Sequence, residues 1–110
     1  MARVHVLTDD LLFGSRLQAD LLAAGYEVTL GPQVDARADA IVADLTHDAS
    51  ARIEALDGWQ RPVLAFYSHV EVAVREQAQA AGLDVVVPRS RIAREGAALL
   101  AALLDGATAR

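Results

Sequence analysis

The sequence predicts an α/β domain, a three-layer α/β/α sandwich in which helices cover both faces of a five-stranded parallel sheet. Short apolar runs rich in β-branched residues alternate along the chain with segments of helical spacing. This alternation is typical of strands joined by crossover helices, and right-handed crossovers place those helices on both faces. With 110 residues and 54% hydrophobic composition, the chain is large enough for one core and one domain.

The first strand and the first helix are predicted close to the start of the chain. Residues 3–7 form a β-rich run, and residues 11–24 carry their apolar side chains at helical intervals. Asp10 stands where a helix cap is needed, because its carboxylate can accept a hydrogen bond from the first turn. Gly25 stands where the helix should end.

The connection between the second and third strands is predicted to be unusually short. The second strand, residues 26–30, is stopped by Gly31 and Pro32, and only residues 33–38 separate it from a third strand at 39–45. Six residues hold at most one turn of helix, so the second helix should be shortened or missing. The third strand is a buried apolar run that ends on Asp44, at the sheet edge where open α/β folds bind ligands.

The rest of the chain continues the same alternation of helices and strands. We expect Asp48 to cap a short helix, and Ser68 to open the next one. The remaining predicted elements are a helix at 49–56, a strand at 62–67, a helix at 70–81, a strand at 84–87 and a helix at 91–104.

Composition excludes several function classes. The net charge of −5 argues against nucleic acid, which needs clustered positive charge. All ten basic residues are arginine, so chemistry that requires a lysine ammonium is excluded. Cysteine is absent, which removes disulfides and thiolate chemistry. No apolar run is long enough to span a membrane and no signal-peptide pattern opens the chain, so we expect a cytoplasmic protein without membrane contact.

Five segments resemble the receiver domains of two-component response regulators in their order and spacing. They are LTDDLLF at 7–13, GYEV at 25–28, IVADL at 41–45, PVLAF at 62–66 and AAGLD at 80–84. The resemblance implies a flavodoxin-like (CheY-like) sheet with strand order 2-1-3-4-5. It also implies a single receiver-like domain over residues 1–110 without an output domain, acting in bacterial two-component signalling or a phosphorelay.

The resemblance also implies roles for individual residues. Asp44 matches the phosphoacceptor, and Asp9 matches the second of two acidic Mg²⁺ ligands, with Asp10 a less favoured ligand. The other matched positions depart from the receiver pattern: Thr8 stands at the first acidic position, Tyr67 at the Ser/Thr position with Ser68 one step later, and Arg89 at the lysine position.

These departures weaken the implied chemistry. Mg²⁺ requires several hard oxygen ligands, and phosphoryl transfer relies on positioned cations. The resemblance therefore implies a pseudo-receiver that acts through protein contacts without standard phosphorylation and needs no cofactor. The alternative is a single-domain response regulator that is phosphorylated on Asp44, with Mg²⁺ held by Asp9 and Asp44. On either hypothesis we expect no enzyme activity beyond phosphate acceptance and loss.

The same residues also have simpler structural explanations. Asp44 and Arg89 lie at predicted strand ends and could satisfy each other as an ion pair, and one of Asp9 and Asp10 should cap the first helix. A third hypothesis, a small metal-dependent enzyme, would use His47, His69 and Asp44.

A protein partner is predicted from the short second connection. A missing helix should leave apolar sheet surface exposed near the second and third strands, and such surface is often covered by another chain. Receiver-like domains also commonly self-associate, so we expect a homodimer.

Overall fold

The structure, a computed structural model, describes residues 2–68 and 71–108. In this part of the chain five strands alternate with four helices, as the sequence predicts. The elements are β1 (Arg3–Leu7), α1 (Leu11–Ala23), β2 (Glu27–Gly31), β3 (Ala40–Asp44), α2 (Ala49–Ala55), β4 (Val63–Tyr67), α3 (Val72–Ala80), β5 (Val85–Pro88) and α4 (Arg89–Thr108).

The five strands form one parallel sheet in the order β2-β1-β3-β4-β5. This confirms the predicted three-layer sandwich and its strand order. Leu21 of α1 and Leu100 of α4 pack on one face of the sheet, with Val6 and Val42 of the central strands. α2 and α3 cover the other face. Because successive side chains of a strand point to opposite faces, each central strand contributes to both cores.

The second crossover helix is missing, as predicted, and residues 32–39 form turns and irregular backbone. Val34 and Ala38 of this segment pack over Ile41, which is fully buried. β2 presents the exposed polar residues Glu27 and Thr29 on the same face. The expectation of exposed apolar surface here is therefore wrong, because the turn covers β3 and the edge strand is polar where a helix would have packed.

The turn at 32–39 is held by its own polar groups. The Asp35 carboxylate accepts hydrogen bonds from the backbone N–H of Arg37 at 3.0 Å and from the hydroxyl of Thr29 at 3.3 Å. The Arg37 N–H, followed by its guanidinium, lowers the pKa of the Asp35 carboxyl below its ordinary value. Arg61 adds hydrogen bonds to the backbone carbonyls of Ala36 and Ala38, so the turn is tied to the sheet from both sides.

The predicted helix starts at Asp10, Asp48 and Ser68 have different outcomes. The expectation for Ser68 is wrong, because α3 begins at Val72 after the N-cap residue Glu71. Asp10 caps α1 as expected, its carboxylate accepting from the Phe13 N–H at 3.0 Å. The expectation for Asp48 is wrong: it precedes α2, but its side chain makes no capping hydrogen bond and its backbone is left-handed, with φ of 50°. α4 also begins two residues earlier than predicted, at Arg89, directly after the last residue of β5.

The four helices of the described residues are between 7 and 20 residues long. Within residues 2–68 and 71–108, none of them combines the length and the apolar composition needed to cross a membrane.

Candidate functional site

The carboxyl ends of β1, β3, β4 and β5 meet at one edge of the sheet, which we call the carboxyl edge. Thr8, Asp44, Ser68 and Arg89 stand at or just beyond these strand ends. Parallel strands bring their carboxyl ends to the same side, and in open α/β sheets that side is where ligands bind. The sequence-predicted residues therefore share one edge, but they do not all contact one another.

Asp44 is 4% exposed, and both of its carboxylate oxygens accept hydrogen bonds from the protein itself. Oδ2 accepts from the hydroxyl of Thr8 at 2.6 Å. Oδ1 accepts from the backbone N–H of Thr46 at 2.8 Å and from its hydroxyl at 2.5 Å. A buried carboxylate needs such donors because leaving it unpaired is costly. Three protein donors thus take the place that ligands or water would otherwise fill.

Thr8 is fully buried and links two parts of the carboxyl edge. Its hydroxyl donates to Asp44 and accepts from the backbone N–H of Asp10 at 2.9 Å. α1 crosses Thr8 very closely, since a Cβ added to Gly14 would lie 2.9 Å from the Thr8 Cγ2 atom. Two carboxylates at this spacing would repel each other unless a cation lay between them. Because Thr8 offers a neutral hydroxyl donor, no cation is required between it and Asp44.

The sequence analysis missed two residues of this site, the Asp44 hydrogen-bond donor Thr46 and the arginine at position 52. Arg52 comes from α2. Its side chain is only 10% exposed, and its Nη2 donates to the Asp9 Oδ2 at 2.8 Å. Its Nη1 donates to the backbone carbonyl of Leu7 at 2.9 Å and lies 3.5 Å from that of Asp44. One guanidinium thus joins the ends of β1 and β3, which are neighbours at the middle of the sheet.

A signal for Arg52 was present in the sequence. In the helical spacing of the α2 segment, Arg52 falls on the same stripe as Ala49, Ile53 and Leu56. Those three residues pack into the core on the α2 side of the sheet, so the stripe faces inward. A charged residue on an inward stripe must find partners, and the nearest unpaired acceptors are at the strand ends.

Arg89 lies on the other side of the carboxyl edge and does not pair with Asp44. Its Nη2 lies 3.3 Å from the Asp10 Oδ2, and its guanidinium carbon lies 4.3 Å from the centre of the Phe13 ring. The expected Asp44–Arg89 ion pair is therefore wrong. α4 starts at Arg89 itself and the side chain stacks on α1, so its charge meets the helix-capping Asp10.

An open cavity of about 570 Å³ lies beside Arg89 at this edge. Arg89 is 44% exposed, in contrast to Arg52. Polar residues of two loops line the same cavity, among them Thr46 and His47 after β3 and Ser68 after β4. This part of the edge is accessible, whereas the pocket around Asp44 is filled by protein side chains.

Comparison with known proteins identifies the fold by structure alone. No protein-family model matches the sequence, and no curated protein resembles it. A response regulator receiver domain (CheY-like) from Methanospirillum hungatei JF-1 superposes with a TM-score of 0.81 and 14% identity, over 96% of this chain and 95% of that one. The chain has the CheY-like receiver fold.

Two further solved structures give the same result. The receiver domain of a Francisella response regulator matches with a TM-score of 0.80 and 15% identity, over 97% of this chain and 99% of that one. A response regulator from Thermotoga maritima matches with a TM-score of 0.79 and 9% identity, over 96% of this chain and 98% of that one. The receiver fold is thus shared over 96–97% of the chain, at 9–15% sequence identity.

Two candidates at the end of β4 in this receiver fold are placed on opposite faces. Tyr67 is 6% exposed and packs with Ala65 and Val63 in the core beneath α2 and α3. Ser68, one residue later, turns to the other side and lines the open cavity. Of the two hydroxyl groups, it is the one on Ser68 that faces the accessible part of the carboxyl edge.

The oxygen atoms around Asp44 fit a divalent metal poorly. Mg²⁺ in proteins takes about six oxygen ligands at roughly 2.0–2.1 Å, several of them water. Here both Asp44 oxygens accept protein donors, Asp9 is paired with Arg52, and Thr8 is neutral. Within residues 2–68 and 71–108, no three His, Asp or Glu side chains are grouped as metal ligands would be. Of the histidines in the metal-enzyme hypothesis, His47 is exposed, and His69 lies outside the described residues.

Proposed function

We propose that this chain is a receiver-fold signalling module of the response-regulator type that works through protein–protein contacts, without phosphorylation of Asp44. The receiver fold supports the signalling role, and the state of Asp44 supports independence from phosphate. The observation that carries the proposal is that both oxygens of Asp44 already accept hydrogen bonds, from Thr8 and Thr46.

Two chemical arguments follow from this geometry. A carboxylate attacks phosphorus through an oxygen lone pair, and three of the roughly four lone-pair sites of Asp44 already accept hydrogen bonds from the protein. Phosphoryl transfer also needs cations around the three equatorial oxygens of the transferred group. The Arg52 guanidinium contacts Asp9 and main-chain carbonyls, and Arg89 contacts Asp10, so both nearby cations already have protein partners.

The test is to incubate the purified chain with acetyl phosphate and Mg²⁺ and to measure its intact mass over time. The Asp44→Asn variant, treated identically, is the matched control because it keeps the side-chain shape and removes the nucleophile. We expect equal masses for both proteins throughout. An added phosphoryl mass in the natural chain that is lost in Asp44→Asn would overturn the proposal.

One observation favours the alternative of a phosphorylated single-domain regulator. The open cavity is lined by the hydroxyl residues Ser68 and Thr46 and by the half-exposed Arg89, which suit a phosphoryl group, although the acidic residue Glu71 lines it too. For that function Asp44 would have to exchange its Thr46 hydrogen bonds for the phosphorus centre. The same mass measurement separates the two functions.

The proposed partner is a protein, and a second copy of the chain is our first candidate. Leu11 and Leu12 at the start of α1 are 67% and 77% exposed, beside the carboxyl edge. Large apolar side chains exposed together favour contact with another chain. Light scattering over a range of concentrations should give a dimer mass, and a constant monomer mass would contradict self-association.

A further inference from the structure

We propose that the Arg52 guanidinium is the permanent cation of this site and excludes divalent metal ions from it. The inference rests on the proposed function and deepens it, because it names what occupies the metal's place. On this view the carboxyl edge has lost its dependence on Mg²⁺ by building a positive charge into α2.

The geometry of Arg52 is that of a cation enclosed by oxygens. Its two terminal nitrogens face a carboxylate of Asp9, the carbonyl of Leu7 and the carbonyl of Asp44. These oxygens come from the ends of two neighbouring strands and the loop after the first. A carboxylate and main-chain carbonyls are also the type of oxygen ligand that Mg²⁺ takes, so the guanidinium and a metal ion compete for one place.

The balance of charge supports the same conclusion. Asp9 and Asp44 are the two acidic residues at this pocket, and Arg52 pairs its positive charge with the carboxylate of Asp9 while contacting only the main-chain carbonyl of Asp44. The hydroxyls of Thr8 and Thr46 stabilise the other negative charge by donating hydrogen bonds to Asp44. A divalent ion would have to displace the guanidinium, and a buried arginine without its acceptors is costly.

α2 is built so that Arg52 reaches this place. The helix follows the left-handed residue Asp48, whose carbonyl accepts from the backbone N–H of Arg52 at 3.2 Å. Ile53, the next residue, packs into the core and fixes the rotation of the helix. Arg52 therefore enters the site from a rigid element, with little freedom to swing out.

The test measures Mn²⁺ binding by electron paramagnetic resonance, with Mn²⁺ as a spectroscopic substitute for Mg²⁺. The Arg52→Ala variant should bind Mn²⁺ at least about tenfold more tightly than the natural chain, or about 1.4 kcal/mol. Adding Asp9→Asn to Arg52→Ala should abolish the gain. Arg75→Ala is the matched control, since it removes one positive charge from an exposed position on α3 and should leave Mn²⁺ binding unchanged.

Arg52→Gln serves as a second variant should Arg52→Ala fail to fold, because it keeps hydrogen-bonding groups and removes the charge. Equal Mn²⁺ affinity in the natural chain and in a folded Arg52 variant overturns the inference. A gain that survives Asp9→Asn also overturns it. Mn²⁺ binding does not report on phosphate, so phosphorylation of Asp44 would remove the proposed function and leave this result standing.

Discussion

The carboxyl edge has two halves, one around Asp44 and one around Arg89. Both contain arginine and hydroxyl side chains, which are largely buried in the first half and more exposed in the second. Around Asp44, the side chains of Thr8 and Arg52 are almost fully enclosed, and their polar groups bond to other parts of the protein. Around Arg89, the guanidinium is half-exposed beside an open cavity. Closed polar groups contribute to stability and rigidity, while open ones are available for recognition. Under the proposed function, the acidic pocket is structural, and ligands or partners contact the Arg89 half.

Of the substitutions considered, Thr8→Asp should lower the free energy of unfolding the most, through the buried half around Asp44. It places a second carboxylate against Asp44, and an uncompensated buried charge costs about 3–5 kcal/mol of unfolding free energy. Repulsion raises the pKa of one of the two carboxyls in the folded state above its unfolded value. The loss should therefore be small at acidic pH and grow as the pH rises through the carboxyl range.

Urea denaturation of Thr8→Asp across this pH range tests the prediction. Thr8→Ser is the control, because it keeps the hydroxyl and removes only the methyl group beside Gly14, at a cost of about 1 kcal/mol. A pH-independent loss, or equal losses in the two variants, would show that Thr8 is not an essential donor to Asp44.

Arg52→Met and Arg89→Met test the comparison directly, since both replace a guanidinium with a flexible apolar chain. Removing Arg52 leaves the strand-end carbonyl of Leu7 without this donor and should cost about 2 kcal/mol. Removing Arg89 breaks an exposed ion pair and a contact with Phe13, and should cost about 0.5–1 kcal/mol. Thermal and urea unfolding measure both values, and equal losses would show that the two halves do not differ.

Changes at Asp48 have small expected effects and test how α2 begins. Its left-handed backbone strains any residue with a Cβ, and aspartate tolerates it better than alanine does. Asp48→Gly should keep or raise the stability by up to about 0.5 kcal/mol, whereas Asp48→Ala should lower it by about 1 kcal/mol. If alanine is as stable as glycine, the left-handed turn does not set the position of Arg52.

The fold could be predicted from the sequence because its signals are local and repeated. Each strand is an apolar run and each helix has its own spacing, and the short segment before Ala40 allowed no crossover helix. Asp10 showed its capping role for the same reason, since a cap depends on the next three residues.

The pairings within the site could not be predicted in the same way. The partner of Arg89 depends on how α4 meets α1, and the partners of Arg52 lie at the ends of two strands distant in sequence. The positions of Asp44 and Arg89 in the sequence place both residues at the same edge of the sheet. Which carboxylate each guanidinium contacts depends on how the side chains are buried in the folded chain. Asp48 was misjudged because a left-handed residue and a capping residue can be the same amino acid.

The direct junction of β5 and α4 has a mechanical consequence. Pro88 ends the strand and Arg89 begins a helix of 20 residues, about 30 Å long, with no connecting loop. A loop would absorb a small displacement of Arg89 by changes in its own backbone angles. Without one, any displacement of the Arg89 backbone is passed directly to α4, and the movement is largest at the far end of the helix.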